Sequence, residues 1–249
     1  METLEYTLGN YRIICPKGYY YQDVNENYIL DVYRTDELLK ENDLVLDLGA
    51  SIGDFSILSS KKIGKKGQVI AIEPDIESYG ILKLNIEINS CQNIIPFNVG
   101  VGSEPGEKEI TFRGRKYRFK VCTLENILNE LYINRRINFI KMDIEGFEAE
   151  VVTKSLQTIK EANVISVEIH GTKEKLDRAL LPNGFFFRPV TMNYIYKKLV
   201  KHLFLHPSNF CKAINYTIKD KPQLLLNSIT GFDITKNEDI LIGSYIKDR

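Results

Sequence analysis

The sequence predicts an α/β protein built on a doubly wound, mostly parallel sheet of seven strands with an antiparallel last strand. Short apolar segments that end in an acid alternate with amphipathic segments, a pattern typical of strands joined by right-handed helical crossovers. The first apolar segment, LVLDLGASIGD at 44–54, carries a glycine turn, and the second, QVIAIEP at 68–74, ends in Glu73. An acid at the end of the second strand is where such sheets hold the ribose of a nucleotide.

Length and composition describe one large domain of ordinary polarity. The chain has 249 residues, of which 43% are hydrophobic and 27% are charged. Lys and Arg total 33, as do Asp and Glu, so no net charge attracts nucleic acid or an anionic membrane. No run approaches the ~18 apolar residues of a membrane span, and the N-terminus lacks the apolar core of a signal peptide. We therefore expect a cytoplasmic protein that does not bind nucleic acid and does not span a membrane.

The first 42 residues are predicted to form a β-rich appendage. Four segments of strand-forming residues, TLEYTL, YRIIC, YYYQ and YILDVY, are separated by turn residues. A short helix over 35–40 should close this region. The core then extends from 43 to 249, with an insertion at about 191–236.

Within the core, the strands are predicted from apolar runs bounded by turn residues. They are expected at 44–48, 68–73, 93–99, 137–142, 164–169, 185–187 and 240–246. The first two helices are expected at 52–62 and from Pro74-Asp75, and Tyr79, Leu82 and Ile86 should share one face of the second. Segments 107–112 and 117–122 are typical of a hairpin, and Thr123 is a suitable N-cap for the helix that follows.

The glycine turn favours a cationic ligand over a pyrophosphate. A dinucleotide site requires G-x-G-x-x-G, but Ser51 stands where the second glycine should be. Asp47, two residues before Gly49, would repel a pyrophosphate and attract a sulfonium or an ammonium group. We therefore expect S-adenosyl-L-methionine as the cofactor, with a nicotinamide dehydrogenase as the alternative within enzymes.

Several motifs in the core, taken together, resemble the FkbM-type methyltransferase family. They are LDLGASIG at 46–53, IEP at 72–74, TLE at 123–125, KMDIEGFE at 141–148 and VEIH at 167–170, with Glu125 in place of the more usual Asp. The resemblance implies a Rossmann-like class I fold and O-methylation of a small molecule or a sugar by S-adenosyl-L-methionine. From the turn chemistry and this resemblance, the residues expected to bind the cofactor are Asp47, Gly49, Ala50, Ser51, Gly53, Glu73, Pro74, Asn98, Val99 and Asp143.

The candidate catalytic residues follow the fourth and fifth core strands. Side chains two apart on a strand share a face, so Glu168 and His170 should point together. Asp143 and Glu145 should do the same if the strand continues, and all four should converge because the two strands are neighbours. His170, whose pKa could lie near neutrality, is predicted to be either the base that removes the acceptor's proton or a structural residue. Asp143 is expected to accept the cofactor's ammonium group, with proton abstraction as its second role.

Three further questions stay open at this stage. Asp143, Glu168 and His170 could hold a divalent metal, but spacing does not establish a metal site, and we predict none. The insertion at about 191–236 is too apolar for a linker, and a face with Tyr194, Leu199, Leu203 and Phe204 suggests either a roof that recognises the acceptor or a homodimer contact. A non-catalytic scaffold that keeps the fold, with or without the cofactor, is the alternative from another class.

Overall fold

A computed structural model describes residues 3–16, 24–112, 115–220 and 240–247. Its strands are β1 Thr3–Leu8, β2 Tyr11–Pro16, β3 Leu44–Leu48, β4 Gln68–Ile72, β5 Ile94–Phe97, β6 Gly100–Val101, β7 Gly106–Phe112, β8 Arg115–Cys122, β9 Phe139–Met142, β10 Val164–His170, β11 Phe185–Pro189 and β12 Ile240–Lys247. Its α-helices are α1 Thr35–Leu38, α2 Asp54–Ile63, α3 Ile76–Ile88, α4 Leu124–Glu130, α5 Glu148–Lys154, α6 Leu156–Ile159, α7 Lys173–Leu180, α8 Met192–Leu205 and α9 Pro207–Asp220.

The central sheet has seven strands in the order β5-β4-β3-β9-β10-β12-β11. Strands β3, β4, β5, β9 and β10 are parallel, and β12 lies antiparallel between β10 and β11. This arrangement confirms the predicted doubly wound sheet with an antiparallel last strand. The chain leaves β3 towards β4 on one side and returns to β9 on the other, so a crevice opens at the carboxyl ends of β3 and β9, where such folds bind ligands.

The sheet has a hydrophobic core on each face. Strand β3 is buried along its whole length, because helices cover both faces of a parallel sheet. Val45, Phe139 and Val164 pack on the side of α2 and of the chain before α1. Leu46, Ile140 and other side chains of the opposite face pack on the side of helices α4 to α7.

The N-terminal region differs from the prediction after its first hairpin. Strands β1 and β2 form the expected antiparallel pair, and YYYQ at 19–22 lies outside the described residues. The predicted strand YILDVY is wrong. Glu26–Leu30 is a π-helical turn that ends at Asp31 in the left-handed conformation (φ 49°), and Asp31 Oδ1 accepts hydrogen bonds from both the amide and the hydroxyl of Thr35. Every residue from 28 to 33 is buried, so this segment lacks the alternation of buried and exposed side chains that would indicate a strand.

The hairpin and the helix cap predicted before α4 are confirmed. Strands β7 and β8 pair antiparallel and form a small sheet with β6. The hydroxyl of Thr123 accepts a hydrogen bond from the amide of Asn126 at 3.2 Å, which satisfies a free donor at the start of α4. Glu125, the residue that departs from the family pattern, accepts hydrogen bonds from Ser155 and Thr158 instead of reaching the crevice.

The described part of the insertion is a pair of helices that pack on the N-terminal region. Ile195 and Lys198 of α8 are buried, and Lys198 Nζ lies 2.5 Å from Asp31 Oδ2. Of the predicted apolar face, Tyr194 and Leu199 pack on the core, whereas Leu203 and Phe204 are 43% and 78% exposed. The helix presents the row of 194, 195, 198 and 199 inward, because residues three and four apart share a helix face.

The contacts of this pair locate it relative to the rest of the chain. The amide of Gly9, in the turn between β1 and β2, donates to the side chain of Asn209 in α9. The pair therefore covers the hairpin and the chain before α1. The division of the chain at residue 42, and acceptor recognition by 191–236, stay predictions. None of the helices in the described ranges combines the length and apolarity that crossing a bilayer requires.

Candidate active site

The turn after β3 is closely packed against the turn after β9. Gly49 has φ +80°, and a Cβ there would lie 1.8 Å from the backbone oxygen of Asp143. Gly53 has φ +85°, and its Cβ would lie 2.3 Å from a methyl carbon of Leu82. Ser51 also has a positive φ of 49°. Glycine is therefore required at 49 for two reasons, the backbone angle and the close approach of a second chain segment.

A buried lysine lies beneath this turn. Lys141 Nζ donates a hydrogen bond of 2.6 Å to the carbonyl of Gly49, lies 3.4 Å from Asp47 Oδ1 and lies 3.8 Å from Asp143 Oδ2. Ser56 donates to the other oxygen of the wholly buried Asp47 at 2.5 Å. Although burial opposes its charge, the neighbouring carboxylates raise the pKa of Lys141. The negative charge of Asp47 is thus already paired within the protein, which the sequence did not predict.

Glu73 lies at the carboxyl end of β4, where its two oxygens accept hydrogen bonds from the amides of Ser51 (2.7 Å) and Asp75 (2.8 Å). Burial raises the pKa of Glu73 to about 7, although those hydrogen bonds oppose the shift. Asn98 donates from its side chain to the carbonyls of Glu73 (2.9 Å) and Pro74 (3.0 Å), and so holds the backbone that carries the carboxylate. Val99, by contrast, is packed against the core.

These features fit S-adenosyl-L-methionine. Ala50 and Ser51 lie in the turn next to Glu73, and a carboxylate at the end of the second strand can accept hydrogen bonds from ribose hydroxyls. Its raised pKa reflects too few donors for a buried carboxylate, which two hydroxyls would supply. A ligand without a pyrophosphate is sufficient to account for the positions of all these groups.

Asp143, Glu168 and His170 converge at the carboxyl ends of β9 and β10, as predicted. One ligand atom from each lies within 4.8 Å of the other two. Glu145 also reaches this group, since its Oε2 lies 3.6 Å from His170 Nε2. The route to this convergence differs from the prediction for 143–145: β9 ends at Met142, and Glu145 has φ 53°, so a turn rather than strand alternation brings it there.

Glu148 is the residue of this site that the sequence analysis missed. It is fully buried at the start of α5, and its Oε1 lies 2.9 Å from His170 Nδ1. Its carboxylate also accepts hydrogen bonds from the amide of Gly146 and the hydroxyl of Thr172. Although burial opposes ionisation, these partners lower the pKa of Glu148. Its place in the KMDIEGFE motif was the available signal, but the motif does not indicate which acid turns inward.

The environment of His170 contradicts the prediction of a pKa near neutrality. Burial disfavours its charge, but the hydrogen bond to Glu148 and the charges of Glu148, Glu168 and Asp143 raise the pKa of His170 to about 9. A histidine protonated at neutral pH does not act as a base. Glu168 is better suited, because burial and the charge of Asp143 raise its pKa to about 7, against the opposing charge of His170.

The core of this chain matches a known protein family. Residues 47–194 match the model described as the methyltransferase FkbM domain. The chain belongs to the FkbM methyltransferase family. This family is described as one of methyltransferases, and the expected cofactor, S-adenosyl-L-methionine, is confirmed. The match gives no support to the nicotinamide alternative.

Several individual proteins resemble this FkbM chain. A hexuronic acid methyltransferase, AglP of Haloferax volcanii, is 27% identical over 154 residues, which are 57% of this chain and 62% of that protein. A ribosomal RNA large subunit methyltransferase E of Vesicomyosocius okutanii is 24% identical over 163 residues, 64% of this chain and 59% of that protein. The chain thus spans about three fifths of each of these curated relatives.

A solved FkbM methyltransferase from Methylobacillus flagellatus is also similar. It superposes with a TM-score of 0.47 at 21% identity, over 68% of this chain and 46% of that one.

Proposed function

We propose that this FkbM protein transfers a methyl group from S-adenosyl-L-methionine to a hydroxyl of a carbohydrate, with a hexuronic acid as the first candidate acceptor. The observation that carries the proposal is Glu168, a partly exposed carboxylate with a pKa of about 7 beside Asp143 and His170. Such a group is half ionised near neutrality and can take a proton from an alcohol. The similarity to a hexuronic acid methyltransferase supports the acceptor class.

The cofactor would lie in the crevice between the turns after β3, β4 and β9. Gly49, Ala50, Ser51 and Gly53 form a turn that lets it approach the backbone. Glu73 accepts hydrogen bonds from the ribose hydroxyls, and Asn98 holds the backbone of Glu73 and Pro74 in place. Asp143 accepts a hydrogen bond from the ammonium group. Its Oδ2 atom lies 3.8 Å from Lys141 Nζ, which is too far for a hydrogen bond, so the carboxylate can still accept one. Asp47 acts indirectly, by holding Lys141 in place under the turn.

The protein's own groups prepare the acceptor. When bound, S-adenosyl-L-methionine supplies the methyl group and departs as S-adenosyl-L-homocysteine. Glu168 takes the proton of the hydroxyl as the new carbon–oxygen bond forms. His170 keeps its orientation through Glu148 and places its Nε2 atom next to Glu168 Oε1, at 3.7 Å. Positioning of the acceptor oxygen in line with the methyl group supplies the rest of the rate enhancement.

The test is methyl transfer by the purified chain from labelled cofactor to a panel of hexuronic acids, neutral sugars and RNA, followed by mass spectrometry of the products. The proposal expects label in a sugar, and the bond should survive mild alkali because it is an ether. Alkali-labile label would identify the acceptor's carboxylate as the site instead. Label in RNA alone would favour the relationship to the ribosomal RNA methyltransferase, and cofactor binding with no product from any acceptor would favour the scaffold alternative.

A further inference from the structure

The cluster of Asp143, Glu168 and His170 has the composition and the spacing of a cation site. Two carboxylates and one imidazole place their ligand atoms within 4.8 Å of one another, a separation that one ion can bridge. The residues come from two neighbouring strands whose register pairs Val167 with Met142, so rigid elements set their separation. The three side chains are partly exposed, which leaves open positions for water or a substrate oxygen.

An independent feature orients the imidazole for ligation. Glu148 is wholly buried and outside the cluster, yet it lies 2.9 Å from His170 Nδ1. This hydrogen bond directs the proton to Nδ1 and turns Nε2 towards Glu168 and Asp143. Histidines that bind metals almost always donate their other ring N–H to a carboxylate, a backbone carbonyl or a water, which fixes the tautomer and the ring. Thr172 and the amide of Gly146 hold Glu148 in turn.

The charges around the cluster also call for a cation. Four carboxylates, those of Asp143, Glu145, Glu148 and Glu168, surround the single imidazole of His170. Lys141 offsets part of this negative charge, because it lies 3.8 Å from Asp143, but it is also bound to the carbonyl of Gly49 and lies 3.4 Å from Asp47. The four carboxylates still outnumber the two cationic groups. A hexuronic acid is an anion, and these acids would repel it unless a cation stood between them.

We propose that Asp143, Glu168 and the Nε2 atom of His170 bind one divalent cation of the Mg²⁺ or Mn²⁺ type, replacing the expectation of no metal. Carboxylate-rich sites suit these ions, and Mn²⁺ also accepts an imidazole. Binding displaces the Nε2 proton of His170 into water. In the part that rests on the proposed function, the cation contacts the acceptor's oxygens and acidifies its hydroxyl. The cation also lowers the pKa of Glu168, so in its presence the acidified hydroxyl, and not a raised carboxylate pKa, drives proton transfer to the second oxygen of Glu168.

The test measures Mn²⁺ binding to the purified full chain after chelator dialysis, by the loss of the electron paramagnetic resonance signal of free Mn²⁺. A single site is expected, and spin-echo modulation should show a directly bound nitrogen. Glu168→Gln and His170→Ala should each weaken binding at least about tenfold, and Glu148→Gln by about tenfold to a hundredfold without removing a ligand. Glu174→Gln and His202→Ala, both away from the cluster, are the matched controls and should bind as the wild type does.

Absence of Mn²⁺ binding, a spectrum without nitrogen modulation, or equal affinity in wild type and Glu168→Gln would each overturn the cation site. The spectrum of the wild type needs no variant, so misfolding of a variant cannot decide the result. These measurements use neither cofactor nor acceptor. Methylation of a sugar by metal-free protein would end the cation's role in the reaction and leave the proposed function standing. A normal Mn²⁺ site without sugar methylation would leave the cation site standing and end the proposed function.

Discussion

Lys141 Nζ lies 3.4 Å from Asp47 Oδ1, and both side chains are almost completely buried beneath the turn after β3. The pair joins β9 to β3, the two strands between which the crevice opens. A buried charge without a partner is much more costly than a buried pair. This ion pair therefore stabilises the turn and fixes the carbonyl of Gly49, to which the same lysine donates.

Replacing Lys141 should reveal the free-energy cost of a buried charge without a partner. Lys141→Met is expected to lower the free energy of unfolding by about 3–5 kcal/mol, because it leaves Asp47 buried and unpaired. Chemical denaturation measures the loss. Lys154→Met, on the exposed side of α5, should change stability by no more than about 0.5 kcal/mol. The double variant Asp47→Asn/Lys141→Met should recover part of the loss, and strictly additive effects would show that the two residues do not interact.

A comparison of variants at Gly49 and Gly184 isolates the effect of a close contact with another backbone segment. Both have positive φ, +80° and +82°, but only at Gly49 would a Cβ meet another backbone atom. Gly184→Ala should cost about 1–2 kcal/mol, the usual cost of a left-handed alanine. Gly49→Ala should cost clearly more and should abolish cofactor binding, because the turn must move away from Asp143. Calorimetric titration with S-adenosyl-L-homocysteine and thermal melts check this, and equal losses in the two variants would contradict it.

Cofactor affinity should depend on the ionisation of Glu73. Ribose hydroxyls donate to the charged carboxylate, whose pKa is about 7, so affinity should fall as the pH is lowered below 7. Glu73→Gln should weaken binding about tenfold or more and flatten this dependence, since charge-assisted hydrogen bonds contribute about 1.5–3 kcal/mol. Asp43→Asn is the control, because burial also raises the pKa of Asp43, to about 6, at the opposite end of β3. A pH-independent affinity in the wild type would remove Glu73 from the ribose site.

The same raised pKa has a consequence for the stability of the cofactor-free protein. Between pH 4.5 and 7 the folded state keeps a proton on Glu73 that the unfolded state has lost. The free energy of unfolding should therefore decrease as the pH rises through this window. Glu73→Gln should remove this part of the slope and Asp43→Asn a separate part. An unchanged slope in Glu73→Gln, measured by urea denaturation at several pH values, would argue against the buried, protonated carboxyl.

Lys198 should determine how firmly α8 is attached. Its Nζ atom lies 2.5 Å from Asp31 and 2.9 Å from Asp36, whereas the side chain of its neighbour Lys197 is exposed. Lys198→Met should reduce stability by about 1–3 kcal/mol, because Asp31 loses its charged partner but keeps the donors of Thr35. Amide hydrogen exchange in α8 should accelerate, with Lys197→Met as the control. Equal exchange in the two variants would show that apolar packing around Ile195 holds the helix by itself.

Deletion of the insertion at about 191–236 would not isolate acceptor recognition from folding. Helix α8 covers the chain before α1, and Arg34 of that chain donates to the carbonyl of Pro189 in β11. Removal would uncover buried groups of the core as well as any acceptor surface. Point variants on the exposed side, at Tyr196 and Phe204, separate acceptor recognition and dimerisation from folding.

By itself, the amino-acid sequence was sufficient to determine the strands of the central sheet, the glycine turn and the convergence of Asp143, Glu168 and His170. These features depend on local patterns: a short apolar run such as LVLDL, followed at once by a glycine turn, is typical of a buried strand, and adjacent parallel strands end at one edge. The Thr123 cap was equally local, because the hydroxyl bonds to an amide three residues on.

Only the tertiary structure decided how the charges of the site are paired. Glu148 and His170 are 22 residues apart, and Lys141 and Asp47 lie on different strands. The turn at Glu145 decides which acids of the 141–148 motif face solvent and which face the imidazole. Glu145 has a positive φ there, a conformation that its residue type does not predict. Burial then sets each pKa, and burial is a property of the assembled core. That is why the pKa of His170 was expected near neutrality, whereas the hydrogen bond to Glu148 and the surrounding carboxylates raise it to about 9.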